Sequence, residues 1–222
     1  MQRIFLVAVF VAGLAALLFL TAGHWDWWPG WGFLAVSVTG ISMTTLSLSR
    51  HDPELVEYRS RLGKDTHKSD YWFLAVFGLA FVGLLVVGPL DAGRFHWAPL
   101  PSWAFAVGAV LFILGETLVA WSMHTNTFFE KTVRLQTDRG HRVIATGPYA
   151  YIRHPGYTGF IFGYAIGFSL MLTSAWALVP AAIAILSVIV RTMFEDRFLA
   201  EKLDGYVAYQ QKVRYRLVPG IW

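Results

Sequence analysis

Apolar residues fall in six long runs, near residues 4–22, 31–49, 72–90, 103–123, 156–173 and 175–192, separated by polar connections. A helix rises about 1.5 Å per residue, so roughly 20 apolar residues cross about 30 Å of hydrocarbon, and each run approaches that length. The pattern predicts an all-α integral membrane protein with about six transmembrane helices. Arg3 before the first run and the small residues from Thr21 to Gly23 after it imitate a secretory signal. The length of the run and the five that follow favour a membrane anchor instead.

The connections have their own local signals. Asp52 is placed to cap a short surface helix that starts at Pro53, has Glu54 in its first turn and stops at Gly63. Thr132 to Gln136 and His141 to Thr146 flank the turn-forming cluster Thr137-Asp138-Arg139-Gly140, which predicts a small hairpin. Gly147-Pro148 marks a second turn. After the last run the helical pattern continues to about Tyr209, with Leu199, Leu203 and Tyr206 at three- and four-residue spacing. An extended tail from Val213 to Trp222 follows, broken by Pro219-Gly220.

Composition agrees with lipid as the solvent. Only 14% of the 222 residues are charged and 56% are apolar, whereas an average soluble domain carries about 25% charged residues. The net charge of +4 is explained by where the basic residues lie. Arg3 precedes the first run, Arg94 stands alone in the third connection, and the connections at 23–30 and 173–175 have none; the rest fall in residues 50–68, 131–153 and from Arg191 onward. This alternation is the positive-inside pattern, which puts both termini and both long basic loops on the cytoplasmic side of an inner membrane. Trp25, Trp27, Trp28 and Trp31 then form an aromatic belt at the opposite interface. No stacking or groove-reading module accompanies the charge, so nucleic-acid binding is excluded as a function. There is no cysteine, hence no disulfide, thiolate zinc site or thiol nucleophile, and the seven histidines lack paired helical spacing, so no metal site is expected.

Chemistry concentrates between Asn126 and Tyr157 and resumes at Arg191. The first stretch reads NTFFEKTVRLQTDRGHRVIATGPYAYIRHPGYTG, followed by RTMFEDRFL and the closing LDGYVAYQQKVRYRLVPGIW. Over residues 124–222 the Gly-Pro-Tyr, Arg-His-Pro-Gly-Tyr and Arg-x3-Glu-Asp elements, in that order, resemble the isoprenylcysteine carboxyl methyltransferase family and, more broadly, the membrane phospholipid methyltransferases. The resemblance implies one integral membrane domain over 1–222, with a four-helix region at 1–123 and a cofactor-binding and catalytic region at 124–222. It implies a methyltransferase that uses S-adenosylmethionine without a Rossmann domain, its pocket near the cytoplasmic face and roofed by a loop and the C-terminal region. It places cofactor contacts on Gln136, on His141, Arg142, Val143 and Ile144, on Tyr149, on His154, Pro155, Gly156 and Tyr157, and on Glu195. Arg191 falls where the family has a substrate-facing catalytic arginine. The stretch between Gln136 and His141 is shorter than the family pattern, and Asp196 replaces the commoner second Glu.

The residues make a physical case beside the resemblance. Pro155 suits the first turn of a helix and makes His154 its cap, at a helix mouth whose free amides can hold the polar part of a cofactor. The plainer alternative is that His154 only caps and Arg153 snorkels to headgroups. Arg191 and Glu195 are four apart and share a helix face, either as an ion pair that anchors the helix or as a divided site. In the divided site Glu195 accepts from the cofactor's ammonium and Arg191 holds an anionic acceptor. The expected acceptor is a prenylated or lipid-like carboxylate, which is already ionised at neutral pH and needs no general base. N-methylation of a phospholipid ethanolamine headgroup is the enzymatic alternative; a non-catalytic lipid- or partner-binding membrane protein is the alternative of another class.

Other features read as structural. Gly159, Gly163 and Gly167 recur every four residues and let a helix approach closely, within the chain or between protomers, so the oligomeric state stays open. Glu116, deep in the fourth run, has to be neutral, paired or near water. Tyr206 and Tyr209 are expected to pack the tail onto the roof of the site.

Overall fold

The structure is a computed structural model and describes residues 2–60 and 68–222. Among the described residues it is helical throughout, with no strand beyond a single bridge between Pro99 and Ser174. Helix α1 spans Gln2–Ala22, α2 Trp28–His51 and α3 Pro53–Ser60. Helix α4 spans Lys68–Gly88 and runs on as a π-helical segment, Pro89–Phe95; α5 is Trp103–Thr125. A bent helix follows, made of α6 (Pro155–Gly159), a π-helical segment (Phe160–Gly167) and α7 (Phe168–Met171). Helix α8 covers Leu178–Lys202 and α9 covers Tyr206–Lys212. Among the described residues four helices are long and apolar enough to cross a membrane: Trp28–His51, Asp70–Phe95, Trp103–Thr125 and Leu178–Lys202.

Helix α5 is the central post. The bent helix packs along it, α2 packs on it, and α4 pairs with α8. The bent helix approaches α5 through the predicted glycines. A Cβ on Gly159 would lie 2.5 Å from the Gly115 carbonyl oxygen, and one on Gly115 would lie 2.7 Å from Gly163 Cα. The glycine face is therefore used within the chain. Below it, Phe33, Phe112 and Phe168 interlock as the aromatic centre of the core, and Tyr164 gives Glu116 its partner by donating to the carboxylate.

At the end remote from α3 and α9, buried Asp91 accepts from Ala98 N–H at 2.6 Å, from Ser174 Oγ at 2.5 Å and from Trp176 N–H at 3.2 Å. This carboxylate pins the turn between the bent helix and α8 to the end of α4. Trp25, Trp28 and Trp31 are exposed at the same end, as a belt requires, but Trp27 is buried against Gly30 and Gly93.

Of three local expectations, one holds and two change. The Asp52 carboxylate does cap α3, accepting from Leu55 N–H at 2.9 Å; the expected terminator Gly63 lies outside the described residues. The hairpin does not form. Thr137–Arg139 is a 3-10 turn closed by left-handed Gly140, and among the described residues one backbone-to-backbone bond links its flanks, His141 N–H to Gln136 O at 3.1 Å. Val133 N–H instead donates to Asp70 Oδ2 on α4, so this amide is spent on a helix and not on a ladder. The helix after the last apolar run is also broken: Gly205, at φ 81°, ends α8 with a turn and starts α9.

Candidate active site

The loop from Asn126 to Ile152, the N-terminal turn of α6, the second half of α8, and α9 enclose a cavity of about 460 Å³. This lies within the roughly 300–1,000 Å³ of ordinary small-molecule sites. Of the residues expected to bind cofactor or act in catalysis, Gln136, His141, Arg142, Val143, Ile144 and Tyr149 line it from the loop, and His154, Gly156, Tyr157, Arg191 and Glu195 line it from the helices. Pro155 does not face the void; it occupies the first position of α6.

His154 stands at the start of α6 but its side chain caps nothing. Its Nε2 lies 3.3 Å from Asp196 Oδ1, and its ring stacks on Tyr157 with centroids 5.7 Å apart. Asp196, unassigned by sequence, is the hub of this wall. Arg153 grips it bidentately at 2.8 and 2.9 Å, Tyr206 OH donates to it at 2.9 Å, Gln210 Nε2 at 3.1 Å and Arg216 Nε at 3.0 Å. Arg153 does not snorkel; it is buried, and its Nη1 also donates to the carbonyls of Val213 and Arg214. Backbone bonds from Arg153 N–H to Tyr215 O and from His154 N–H to Arg216 O strap the tail beneath the loop. Tyr209 adds a bond from its OH to Tyr149 O at 2.7 Å. Burial pushes the Tyr206 and Tyr209 phenols up, with the Asp196 charge adding to it, so both stay protonated donors.

The opposite wall centres on Arg191, which is 5% exposed. Its Nη1 pairs with Asp70 Oδ1, its Nη2 donates to Lys131 O at 3.2 Å, its Nε donates to Tyr157 OH at 3.3 Å, and its guanidinium lies 4.7 Å from the Phe73 ring centre. Tyr157 OH donates in turn to Glu195 Oε2 at 2.5 Å. Arg191 and Glu195 do share a face, but their direct N···O separation is 3.8 Å and Tyr157 bridges them. Sequence reasoning missed Asp70, because a carboxylate in the first turn of a helix reads as a complement to the helix dipole. Nothing in its spacing links it to Arg191.

Gln136 is 2% exposed and its amide is already used: Nε2 donates to Phe128 O at 2.8 Å and Oε1 accepts from Arg139 at 2.9 Å. It braces the loop. His141 stacks near Phe128, 4.6 Å between centroids, and its Nδ1 accepts from Gln136 N–H at 3.4 Å. Burial holds its pKa below the ordinary histidine value, so the ring is a neutral acceptor.

A second cavity, about 650 Å³, opens between α4 and α8. Trp72, Val76, Ile183, Leu186, Phe194 and Phe198 make it greasy, and Phe73, Val133, Arg191 and Glu195 belong to both cavities. A polar chamber and an apolar groove thus meet at one wall.

Residues 107–201, which contain most of α5, the loop, the bent helix and nearly all of α8, match the isoprenylcysteine carboxyl methyltransferase (ICMT) family. Over this stretch the chain is similar to that family. The protein-S-isoprenylcysteine O-methyltransferase of Saccharomyces cerevisiae is 30% identical over 151 residues, 64% of this chain and 61% of that protein. Protein-S-isoprenylcysteine O-methyltransferase B of Arabidopsis thaliana is 26% identical over 121 residues, 53% of this chain and 58% of the relative. The chain therefore spans less than two thirds of these relatives. The fold resembles a solved structure of the eukaryotic intramembrane Ras methyltransferase ICMT, with a TM-score of 0.59 and 23% identity over 97% of this chain and 75% of that one. The ICMT segment carries the bent helix and the Arg191–Glu195 face, whereas Asp70 and α3 lie outside it.

Proposed function

We propose that this chain is an S-adenosylmethionine-dependent methyltransferase that esterifies the carboxylate of a prenylated or lipid-like compound held in the membrane. One observation carries the proposal: the polar chamber and the apolar groove share the Arg191–Glu195 wall, so a water-borne donor and a greasy acceptor can meet there. The names of the ICMT relatives support the same chemistry.

The chamber's donor set fits the cofactor. Tyr149, His141 and the α6 amide at Gly156 offer polar contacts, Phe128 and Leu203 offer apolar faces, and Glu195 supplies a carboxylate for the ammonium. Gln136, its amide occupied, shapes the loop. When bound, S-adenosylmethionine supplies an electrophilic sulfonium methyl group. The remaining work is alignment and exclusion of water, and proximity of this kind can contribute up to about 7–11 kcal/mol. Three of the five N–H donors of Arg191 are held by Asp70, Lys131 O and Tyr157, which fixes its plane and leaves the others for an acceptor oxygen. Tyr157 keeps its proton on Glu195 and so holds that carboxylate toward the chamber. A carboxylate acceptor is ionised at neutral pH and gives up no proton in the reaction.

Six crossings follow if α1 and the bent helix from Pro155 to Met171 join the four long helices. The basic loops then put the chamber on the cytoplasmic side of an inner membrane. A labelled-methyl assay on the purified chain tests the proposal. Base-labile methyl ester on a prenylated cysteine is the expected product. Mono- or dimethylated ethanolamine lipid would replace it with headgroup N-methylation, and absence of S-adenosylmethionine binding would leave a non-catalytic lipid-binding protein.

A further inference from the structure

Three of the arginines that line the chamber already hold a carboxylate. Arg134 pairs with Glu130, Arg153 with Asp196 and Arg191 with Asp70. Arg142 is exposed. Arg59 differs from all of these. It reaches the chamber from α3, is half-buried, and makes two contacts: Nη1 donates to Phe129 O at 3.1 Å, and the guanidinium lies 5.1 Å from the Phe129 ring centre. Among the described residues no carboxylate lies within ion-pair distance of it.

A guanidinium has five N–H donors in a planar fork suited to two carboxylate oxygens, and among the described residues Arg59 uses one of them. Lys131 lines the same wall. Burial pushes both cations below their ordinary pKa values, and the Arg59 charge pushes Lys131 down further; Glu130 beside Lys131 is taken by Arg134, so among the described residues two positive groups face one void with no carboxylate paired to either. Such an arrangement is costly unless an anion completes it. Arg191, neutralised by Asp70, is the weaker attractor of the two arginines. Glu195, a second acid of the lining, is engaged by Tyr157.

We infer that Arg59, assisted by Lys131, forms a carboxylate-binding subsite at the α3 edge of the chamber. The inference rests on the methyltransferase proposal, which provides two ligands with that group: the methionine carboxylate of the cofactor and the carboxylate of the acceptor. Arg59 lies outside the stretch that matches the family and outside every motif in the sequence.

The test uses the full chain in detergent, comparing wild type with Arg59→Gln, Arg59→Lys and Lys131→Gln. Calorimetry reads binding of S-adenosylmethionine and of its decarboxylated analogue, and a labelled-methyl assay reads the KM for a prenylated cysteine with a free carboxylate. Loss of the fork should weaken one carboxylate ligand about tenfold or more, the scale of one charged bidentate contact. If S-adenosylmethionine weakens and the decarboxylated analogue does not, the subsite serves the cofactor. If cofactor affinity holds and acceptor KM rises, it serves the acceptor. Arg59→Lys should fall between, because it keeps the charge and loses the plane. Lys131→Gln, at an exposed position, should shift the same constant in the same direction by less, and it carries the test if Arg59→Gln does not fold. Constants for both ligands within about twofold of wild type, or equal weakening of both cofactor forms, overturn the subsite. A wild-type chain that binds neither cofactor form overturns the methyltransferase proposal first and the subsite with it.

Discussion

Asp70, in the first turn of α4, and Arg191, 121 residues later on α8, form a buried ion pair against the chamber wall. The same Asp70 accepts from Val133 N–H at 2.9 Å, so one carboxylate fixes two helices and the loop between the chamber and the groove. Removing its charge leaves Arg191 buried with only the more distant Glu195 carboxylate, 3.8 Å away, to offset it. Asp70→Asn should therefore lower stability by about 3–5 kcal/mol, and turnover should fall as Arg191 loses its plane. Thermal unfolding in detergent and kcat check both; a variant with wild-type turnover would show that Arg191 needs no support from α4.

Arg191→Ala tests the division of labour on α8. Turnover should drop by about 100-fold or more, the usual scale for losing an oriented charge at a reacting group. Cofactor affinity should stay close to wild type, because Glu195 and the loop residues are untouched. Equal loss of turnover and affinity would refute the division.

Asp196 gathers Arg153, His154, Tyr206, Gln210 and Arg216. Asp196→Asn should cost about 3–5 kcal/mol, since two arginines lose their counter-charge and one of them is fully buried. Tyr206→Phe removes a single donor and should cost about 1 kcal/mol. Denaturation midpoints of the two variants give the ratio; equal effects would mean that the hub acts through packing alone.

Gly159→Ala sets a Cβ 2.5 Å from the Gly115 carbonyl oxygen and has to push the bent helix off α5. Overpacking of this kind costs about 1–3 kcal/mol. Gly13→Ala meets nothing within 4 Å and serves as the control, with an unchanged melting temperature.

His141 supplies a pH dependence. Its folded pKa lies below the unfolded value of 6.5 because burial disfavours the charged ring. The unfolded chain therefore binds more protons, and its contribution to stability is fully present above pH 6.5 and declines as pH falls below it. The melting temperature of wild type should fall between about pH 7 and pH 5, and His141→Gln should flatten that slope. An unchanged slope would place the titrating group elsewhere.

Much of the site was legible because its parts are close in sequence. The Gly-Pro-Tyr and His-Pro-Gly-Tyr turns sit where a chain leaves water for lipid, and Pro155 starts its helix as its fixed φ dictates. Arg191 and Glu195 announce themselves by being charged on an apolar helix. Legibility ended where long-range partners decide. Asp70 and Arg59 lie far from the motif in sequence, and no periodicity joins them to it. Val133 donates to Asp70 where a hairpin ladder was expected, and His154 turns from the cap toward Asp196. In each case a buried charge elsewhere in the chain outbid the local pattern for the same donor.

The shared wall also separates what can drift from what cannot. Substitutions at Ile183, Leu186, Phe194 or Phe198 touch only the groove, so under the proposed function preference for tail length or branching can be retuned there without disturbing the methyl donor. Changes at Phe73, Val133, Arg191 or Glu195 are felt on both sides at once. Homologues with different hydrophobic tails should therefore diverge along the outer rim of the groove while keeping the same inner face.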